Sequence, residues 1–160
     1  MESCRDGKLT LVSSRYPFCA RGDLDDDQSV RSGMTLVPFA EDLNRFVFRA
    51  TGKLSGTYRV KWGDATREYS AEELARGVQL AVDFPDNPFC DAFDKVDAAV
   101  AAKQAFETSQ VKTAFHSVEA RADFAKVVAE TEAIRAPLAE AIAQALVPVT
   151  HTIEVTPAPP

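Results

Sequence analysis

The stretch Thr57-Tyr58-Arg59-Val60-Lys61-Trp62-Gly63-Asp64 decides the fold class, because apolar and polar side chains alternate along it up to a turn. The apolar members are aromatic or β-branched and share one face, and the polar members share the other. A period of two with aromatic residues on one face is typical of a half-buried antiparallel strand. Because Gly63-Asp64 is a turn signal, we expect a hairpin whose second strand ends near Tyr69.

The same alternation precedes this hairpin. Phe46, Phe48 and Ala50 fall on one face of a predicted strand, with arginines at 45 and 49 on the other. Residues 51–56 hold two glycines and a serine, so we expect them to connect this strand to the next as an antiparallel hairpin.

Weaker signals lie closer to the N-terminus. Residues 8–14 alternate weakly and predict a strand, and residues 21–32 are acidic and polar and predict an exposed loop. Met34-Thr35-Leu36-Val37 predicts a short apolar strand that Pro38 ends. Together these patterns predict a small antiparallel, sandwich-like β module over residues 33–84.

A short helix and a boundary follow the hairpin. Ser70-Ala71-Glu72-Glu73 is a capping box, in which the serine and the second glutamate bond each other's backbone amides. Gly77 predicts the end of that helix. Residues 78–82 look extended, and the turn-rich residues 83–88 form the clearest internal boundary.

Beyond this boundary the composition shifts to alanine. Two apolar stripes at helical spacing predict two amphipathic helices, packed as a hairpin and broken near residues 116–122. Pro137 falls inside the second stripe and predicts a kink or a restart of that helix. Residues 149–155 alternate and could return as a final strand, and residues 156–160 predict a flexible tail.

The predicted fold class is therefore α+β: a small antiparallel β unit, then a long helical hairpin, then a C-terminal strand. We divide the chain into residues 1–32 (N-terminal strand and acidic loop), 33–84 (β module), 85–147 (helical hairpin) and 148–160 (final strand and tail).

Composition limits the classes of function. The formal net charge is −6 over 160 residues and no basic stripe is present, which disfavours nucleic acid as a partner. Apolar stretches are broken by charges, so we expect no membrane span, and the N-terminus shows no signal peptide. Cys4, Cys19 and Cys90 are too scattered for a disulfide framework or a zinc site.

A complete hydrolytic site is not recognisable. Nucleophilic hydrolysis needs a nucleophile, a base and a group that orients the base. The chain has two histidines, His116 and His151, with no Asp-x-x-His block and no Gly-x-Ser-x-Gly elbow. A lone histidine is usually a surface or a satisfied side chain, so we assign no catalytic residue.

Carboxylate clusters also have simpler interpretations. Asp23, Asp25 and Asp27 have the spacing of calcium-loop ligands, but Gln28 and Met34 stand where glycine and glutamate are needed. A solvated acidic loop is therefore favoured over a loose cation site.

Two further polar groups lie on predicted helices. Glu72 and Glu73 are explained as residues that favour the start of a helix. Lys103, Gln104 and Glu107 form a polar cluster that is either an ordinary solvated face or a docking face. We assign no metal ligand, no cofactor-binding residue and no cofactor.

An ordered series of motifs resembles the C-terminal region of bacterial SGNH/GDSL-type hydrolases. The series runs through Met34-Thr35-Leu36-Val37-Pro38-Phe39, Leu43-Asn44-Arg45-Phe46, Thr51-Gly52, Gly56-Thr57-Tyr58, Ser70-Ala71-Glu72-Glu73-Leu74-Ala75 and Gly77-Val78-Gln79-Leu80-Ala81. It covers about a third of the chain closely and departs from the family at Lys53-Leu54 and at Gln79.

The resemblance implies that a flavodoxin-like catalytic domain precedes a β module of this kind. That domain would carry a Gly-Asp-Ser block and an Asp-x-x-His block, whereas Gly22-Asp23 here is followed by Leu24. The chain would then be the non-catalytic part of an esterase of acylated carbohydrate or other small esters, with Met1 as an internal start and the parent enzyme often exported. Its expected partner is the catalytic domain, in cis or in trans, or a second copy of itself.

A stand-alone interaction module is the alternative. Such a module would bind a protein or a carbohydrate through its sheet or its helix face, and it would have a polar outer surface. The accessory-region hypothesis instead predicts an exposed apolar patch where a missing domain docks.

Overall fold

The computed structural model describes residues 3–19 and 22–159, with the backbone alone at residues 3–5. The strands are β1 Ser3–Arg5, β2 Lys8–Ser13, β3 Val47–Phe48, β4 Thr57–Trp62, β5 Ala65–Ser70, β6 Val78–Gln79 and β7 Val149–Pro157. The helices are α1 Val30–Gly33, α2 Phe39–Asp42, α3 Ala71–Arg76, α4 Leu80–Asp83, α5 Cys90–Lys112, α6 Val118–Ala122 and α7 Phe124–Ala145, with 3-10 turns at Met34–Leu36 and Ala114–His116.

The chain divides into two compact units. Unit 1 comprises Met1–Cys90 and Pro148–Pro160, and unit 2 comprises Asp91–Val147. The predicted α+β class is confirmed, since an antiparallel sheet is followed by long helices and a returning C-terminal strand. The finer division into four segments stays a prediction.

Unit 1 is built on a five-stranded antiparallel sheet in the order β1-β2-β7-β4-β5. The β4–β5 hairpin turns at Gly63-Asp64, as predicted, and pairs Trp62 with Ala65. Strand β7 inserts between β2 and β4, so that Ile153 pairs with Leu9 on one side and with Trp62 on the other. This insertion is a long-range pairing that the alternation of residues 149–155 could suggest but not place.

The two faces of this sheet differ in chemistry because side chains alternate along each strand. One face carries the apolar side chains and packs on the core, whose fully buried members are Trp62, Phe84, Phe89, Leu74, Leu80 and Val60. The opposite face carries threonines and ion pairs, among them Lys8–Glu154 at 2.9 Å and Arg59–Glu68 at 2.9 Å. The sheet is therefore half-buried, as its period of two predicts.

The predicted hairpin through residues 51–56 is wrong. Strand β3 pairs with β6, with Phe48 opposite Val78, and these two strands form a separate ribbon. The reason is that a strand has only two edges, and those of β4 are taken by β5 and β7. The backbone around β3 bonds instead to residues 74–80, since Leu80 donates to the carbonyl of Phe46.

The predicted strand at residues 34–37 is also wrong. Ser29 caps α1, and the chain continues from that helix directly into the 3-10 turn Met34–Leu36. Thr35 Oγ1 donates to the carbonyl of Ser32 at 2.6 Å, a local side-chain bond that favours turns over strands. The helix α1 also replaces the end of the predicted loop at residues 21–32, of which residue 21 lies outside the described residues.

Two smaller corrections concern the ends of strands. Only Val78–Gln79 is extended in the predicted stretch 78–82, because helix α4 begins at Leu80. Thr156 and Pro157 belong to β7 rather than to a free tail, because β4 pairs with both of them.

The capping box and the helix stop are confirmed. The Ser70 side chain accepts from the Glu73 amide, and the Glu73 carboxylate accepts from the Ser70 amide at 2.7 Å. These bonds hold the pKa of Glu73 below its ordinary value. Gly77 ends α3 with a φ of 105°, a conformation that favours glycine.

Unit 2 is a helical hairpin of α5 and α7, with the break at residues 113–123 close to its predicted place. The buried Gln110 donates to Thr131 Oγ1 at 3.0 Å and to Glu132 Oε1 at 3.1 Å, and these bonds join the two helices. Helix α7 runs through Pro137 without interruption, so the predicted restart is wrong, whereas a kink stays a prediction. Pro137 and Ala133 are exposed, so water can satisfy the carbonyl that loses its helical partner.

No helix in the described part of the chain is both long enough and apolar enough to cross a membrane.

Candidate functional site

A hydrogen-bonded triplet lies on the core face of the sheet and consists of His151, Trp62 and Ser13. Strand β7 carries His151, β4 carries Trp62, and Ser13 ends β2. The indole Nε1 of Trp62 lies 3.1 Å from His151 Nδ1, and Ser13 Oγ lies 3.0 Å from His151 Nε2. Both ring nitrogens of a buried histidine are thereby satisfied.

Aromatic rings surround His151. The ring centroids of Phe89, Trp62 and Phe46 lie 4.9, 5.9 and 6.0 Å from that of the imidazole. Burial among these rings disfavours the imidazolium, which lowers the pKa of His151 below its ordinary value. The imidazole is therefore neutral at neutral pH.

The tautomer follows from the chemistry of tryptophan. An indole N–H can only donate, so Nδ1 of His151 must present its lone pair and the proton of the neutral ring must sit on Nε2. That proton is donated to Ser13 Oγ. A catalytic base needs the reverse arrangement, in which the imidazole accepts the serine proton and a carboxylate orients the ring. The geometry of this Ser–His pair is that of a structural bond.

The other residues considered as site candidates from the sequence, His116 and the described residues of the acidic loop, are not hydrogen-bonded to Ser13, His151 or Trp62. His116 is exposed in the helical unit. In the acidic loop, Asp23 Oδ1 accepts from the Asp25 amide at 3.1 Å, and Asp26 Oδ1 accepts from the Gln28 amide at 3.0 Å. These bonds fold the loop on itself, and among the described residues no group of three potential ligands could hold a metal ion.

The polar cluster of the first long helix is part of an ion network within unit 2. Lys103 and Arg135 both pair with Glu107, and Arg135 also pairs with Glu132 at 2.8 Å. The Lys103 bond holds the pKa of Glu107 below its ordinary value, and the Gln110 and Arg135 bonds do so for Glu132. Gln104 is exposed, and its side chain forms no hydrogen bond with another described residue.

One surface of unit 1 is rich in exposed apolar side chains. Large hydrophobic side chains are exposed along the segment that holds α1 and α2 and on the neighbouring α4, with Leu36 84% and Leu43 72% exposed. We call this surface the apolar patch; it comprises Leu24, Val30, Leu36, Val37, Leu43 and Val82. A cavity of about 210 Å³ opens beside the patch, and Leu24 and Val82 belong both to the patch and to the lining of this cavity.

A second concave surface has a different character. A groove of about 540 Å³ is lined by Leu9, Leu11, Phe46, Val47, Phe48, Leu80 and Ile153, together with Arg15, Arg45 and Arg49. We call it the arginine groove. The alternation of residues 45–49 was visible in the sequence, but Arg15 reaches the same groove only because β2 lies near β3 in the folded unit.

The fold has a partial counterpart among solved structures. The chain is similar to a gut microbial diltiazem-metabolizing enzyme, with a TM-score of 0.58 and 16% sequence identity. The likeness covers 94% of this chain and 43% of that enzyme, so the chain spans less than half of its length. At this identity the likeness shows the fold alone.

Comparisons of sequence give no family. No protein-family model and no curated protein matches the chain.

Proposed function

We propose that the chain is the accessory, non-catalytic part of an ester hydrolase of the SGNH/GDSL type, which braces or caps a catalytic domain. The observation that carries this proposal is the apolar patch. Six large hydrophobic side chains of unit 1 are exposed there, and a group of exposed apolar side chains is typical of a surface that a partner covers. The proposed occupant of the patch is the catalytic domain, in cis or in trans.

The structural neighbour supports a larger parent protein. In that enzyme the same fold accounts for 43% of the chain, so more than half of it is additional polypeptide. An enzyme that metabolizes diltiazem is compatible with a relationship to ester hydrolases. The motif series of residues 34–81 is what narrows the proposal to the SGNH type.

The chemistry of the Ser13–His151 pair supports a non-catalytic role. Trp62 donates a hydrogen bond to His151 Nδ1, the nitrogen that donates to a carboxylate in a catalytic triad. Ser13 accepts the proton of His151 Nε2 instead of donating its own. Catalysis of ester cleavage would therefore come from residues of another domain.

The coding sequence that adjoins this chain tests the proposal. We expect it to specify a flavodoxin-like domain with a Gly-Asp-Ser block and an Asp-x-x-His block. That domain, co-expressed with this chain, should form a complex that the double substitution Leu36→Ser and Leu43→Ser weakens. Val111→Ser with Val118→Ser, at exposed apolar positions of unit 2, is the matched control. Absence of both blocks, or equal binding by both double variants, would make the proposal wrong.

A stand-alone carbohydrate-binding module is the second candidate, and the polar face of the sheet favours it. The register of β2, β7, β4 and β5 places six threonines on that face, and two of them, Thr10 and Thr152, lie directly opposite each other. The six are Thr10, Thr150, Thr152, Thr156, Thr57 and Thr66. Threonine hydroxyl groups can both donate to and accept from the hydroxyl groups of a sugar. Saturable binding of an oligosaccharide that Thr66→Val abolishes would favour this candidate.

A further inference from the structure

We propose that the arginine groove binds an amphiphilic carboxylate, a small ligand with one carboxylate group and an unbranched apolar chain. The groove lies entirely within unit 1, between β2, residues 45–49 and β7. Its volume of about 540 Å³ falls within the range of small-molecule sites. The proposal concerns this unit alone and does not depend on the accessory role proposed above.

The floor of the groove is apolar and only half covered. Leu9 and Leu11 point from β2 to the core face of the sheet, but they remain half-buried, as do Phe46 and Phe48 above them. Ile153 completes the floor and is buried. An alkyl chain laid along these side chains would remove their exposed apolar surface from water, which is favourable.

The rim of the groove is cationic. Arg15, Arg45 and Arg49 are exposed there, and no acidic residue belongs to the described lining. Arg49 donates to the carbonyl of Arg76 through Nε and Nη2, whereas Arg15 and Arg45 form no hydrogen bond or ion pair with any described residue. Unpaired guanidinium groups in a chain of net charge −6 mark a local site for an anion.

The combination of floor and rim selects the ligand class. A guanidinium group matches a carboxylate in planar, two-bond geometry. A short anion such as acetate would pair with the arginines of the rim but leave the apolar floor exposed to water. An uncharged alcohol would cover the floor but leave the guanidinium groups unpaired. A ligand that carries both a carboxylate and a chain satisfies both parts of the groove.

The groove has a natural optical reporter. Trp62 is the single tryptophan of the chain, and its ring stacks on that of Phe46 with 5.4 Å between centroids. Because Phe46 lines the groove, an alkyl chain bound there contacts Phe46 and so changes the surroundings of the Trp62 indole. Decanoate, kept below its micellar concentration, should therefore change the tryptophan emission of the full chain in a saturable manner.

Matched ligands and variants test the two parts of the groove separately. We expect decanoate to bind at least about tenfold more tightly than decanol or acetate, a ratio equal to about 1.4 kcal/mol. The double substitution Arg15→Gln and Arg45→Gln should lower the affinity for decanoate by about tenfold or more. The reason is that each hydrogen bond lost between a guanidinium group and the carboxylate is charge-assisted. Lys53→Gln with Arg121→Gln removes two exposed cations outside the groove and should leave the affinity within about twofold.

Three results would overturn the proposal. The first is the absence of saturable decanoate binding by the wild-type chain. The second is equal affinity for decanol, or equal loss in the two double variants, because binding would then not use the arginine rim. The third is self-association, in sedimentation, that the groove variants abolish and decanoate leaves unchanged, because the groove would then be an interface between copies.

Discussion

The indole N–H of Trp62 donates a hydrogen bond to Nδ1 of His151, and the two atoms lie 3.1 Å apart. The two residues are 89 positions apart, and the pairing of β7 with β4 brings them together. This bond fixes the tautomer of the imidazole and, together with the bond between His151 Nε2 and Ser13 Oγ, joins three strands of the sheet.

Acidification should destabilise unit 1 through His151. Its pKa is lowered by burial, so the unfolded chain binds the proton more readily than the folded chain. The stabilising contribution is therefore complete above the ordinary pKa of about 6.5 and is lost as the pH falls toward the lower folded value. Urea unfolding, followed by tryptophan emission, should give a lower free energy of unfolding at about pH 5.5 than at about pH 7.5.

The variant His151→Gln isolates this effect, because glutamine retains a donor and an acceptor but does not titrate. We expect the difference between the two pH values to shrink in His151→Gln and to persist in His116→Gln, where the exposed histidine is replaced. The carboxyl groups with lowered pKa values, among them Glu73 and Glu154, lose their contribution only below about pH 4.5. A pH dependence unchanged by His151→Gln would contradict the prediction.

Ser13 should not act as a nucleophile. Because Nε2 of His151 carries the proton in the neutral ring, the imidazole cannot accept one from Ser13. We expect the purified chain to hydrolyse p-nitrophenyl acetate at the same slow rate as its Ser13→Ala variant. A rate that Ser13→Ala or any other single serine substitution abolishes would show that the chain has its own esterase site.

A side chain at residue 77 should destabilise unit 1. Its φ is 105°, and a Cβ there would lie 2.8 Å from Cγ1 of Val47, so that Gly77→Ala adds a steric clash to backbone strain. We expect a loss of roughly 2–4 kcal/mol in the free energy of unfolding, measured by urea denaturation.

Gly52 provides the matched comparison. Its φ is 132°, yet no described atom beyond Gly52 and its two chain neighbours lies within 4 Å of the position that an alanine methyl group would occupy, so Gly52→Ala carries the backbone strain alone. The loss there should be about 1–2 kcal/mol. Equal losses at the two glycines would mean that the contact between residue 77 and Val47 has no steric consequence.

The apolar patch should bind hydrophobic dyes and promote self-association in the isolated chain. Leu36 and Leu43 are 84% and 72% exposed, so their replacement by serine removes surface apolarity without opening the core. We expect the double variant Leu36→Ser and Leu43→Ser to bind less of the dye ANS and to self-associate less, with thermal stability within about 0.5 kcal/mol of wild type.

The helical unit offers the control for this experiment. Val111→Ser with Val118→Ser removes two other exposed side chains, which lie outside the patch. Dye binding lowered equally by both double variants would show that the patch has no special role.

Local patterns made much of the secondary structure of both units predictable. The alternation in residues 57–69 predicted the β4–β5 hairpin, and the Ser70–Glu73 box predicted α3, because both signals act between residues close in sequence. The break between the long helices was predicted for the same reason, from the loss of the apolar stripe. The strand predicted at residues 34–37 failed because a turn with local side-chain bonds competes for the same residues.

The two concave surfaces show where prediction from sequence stops. The arginines at 45 and 49 were seen as one polar face of a strand, but the groove also needs Arg15 and Ile153 from distant strands. The apolar patch was anticipated as a kind of surface, whereas its location follows from the hydrophobic side chains that residues 24–43 and helix α4 leave exposed.

The sequence by itself determined the α+β class, the β4–β5 hairpin, the two long helices, and the caps that begin and end α3, because periodicity and capping depend on near neighbours. Tertiary structure alone decided that β7 separates β2 from β4, that β3 pairs with β6, and that His151 meets Trp62 and Ser13. Pairings between distant strands depend on which edges are free and which side chains fill the core. Those quantities are defined only once the whole unit has folded.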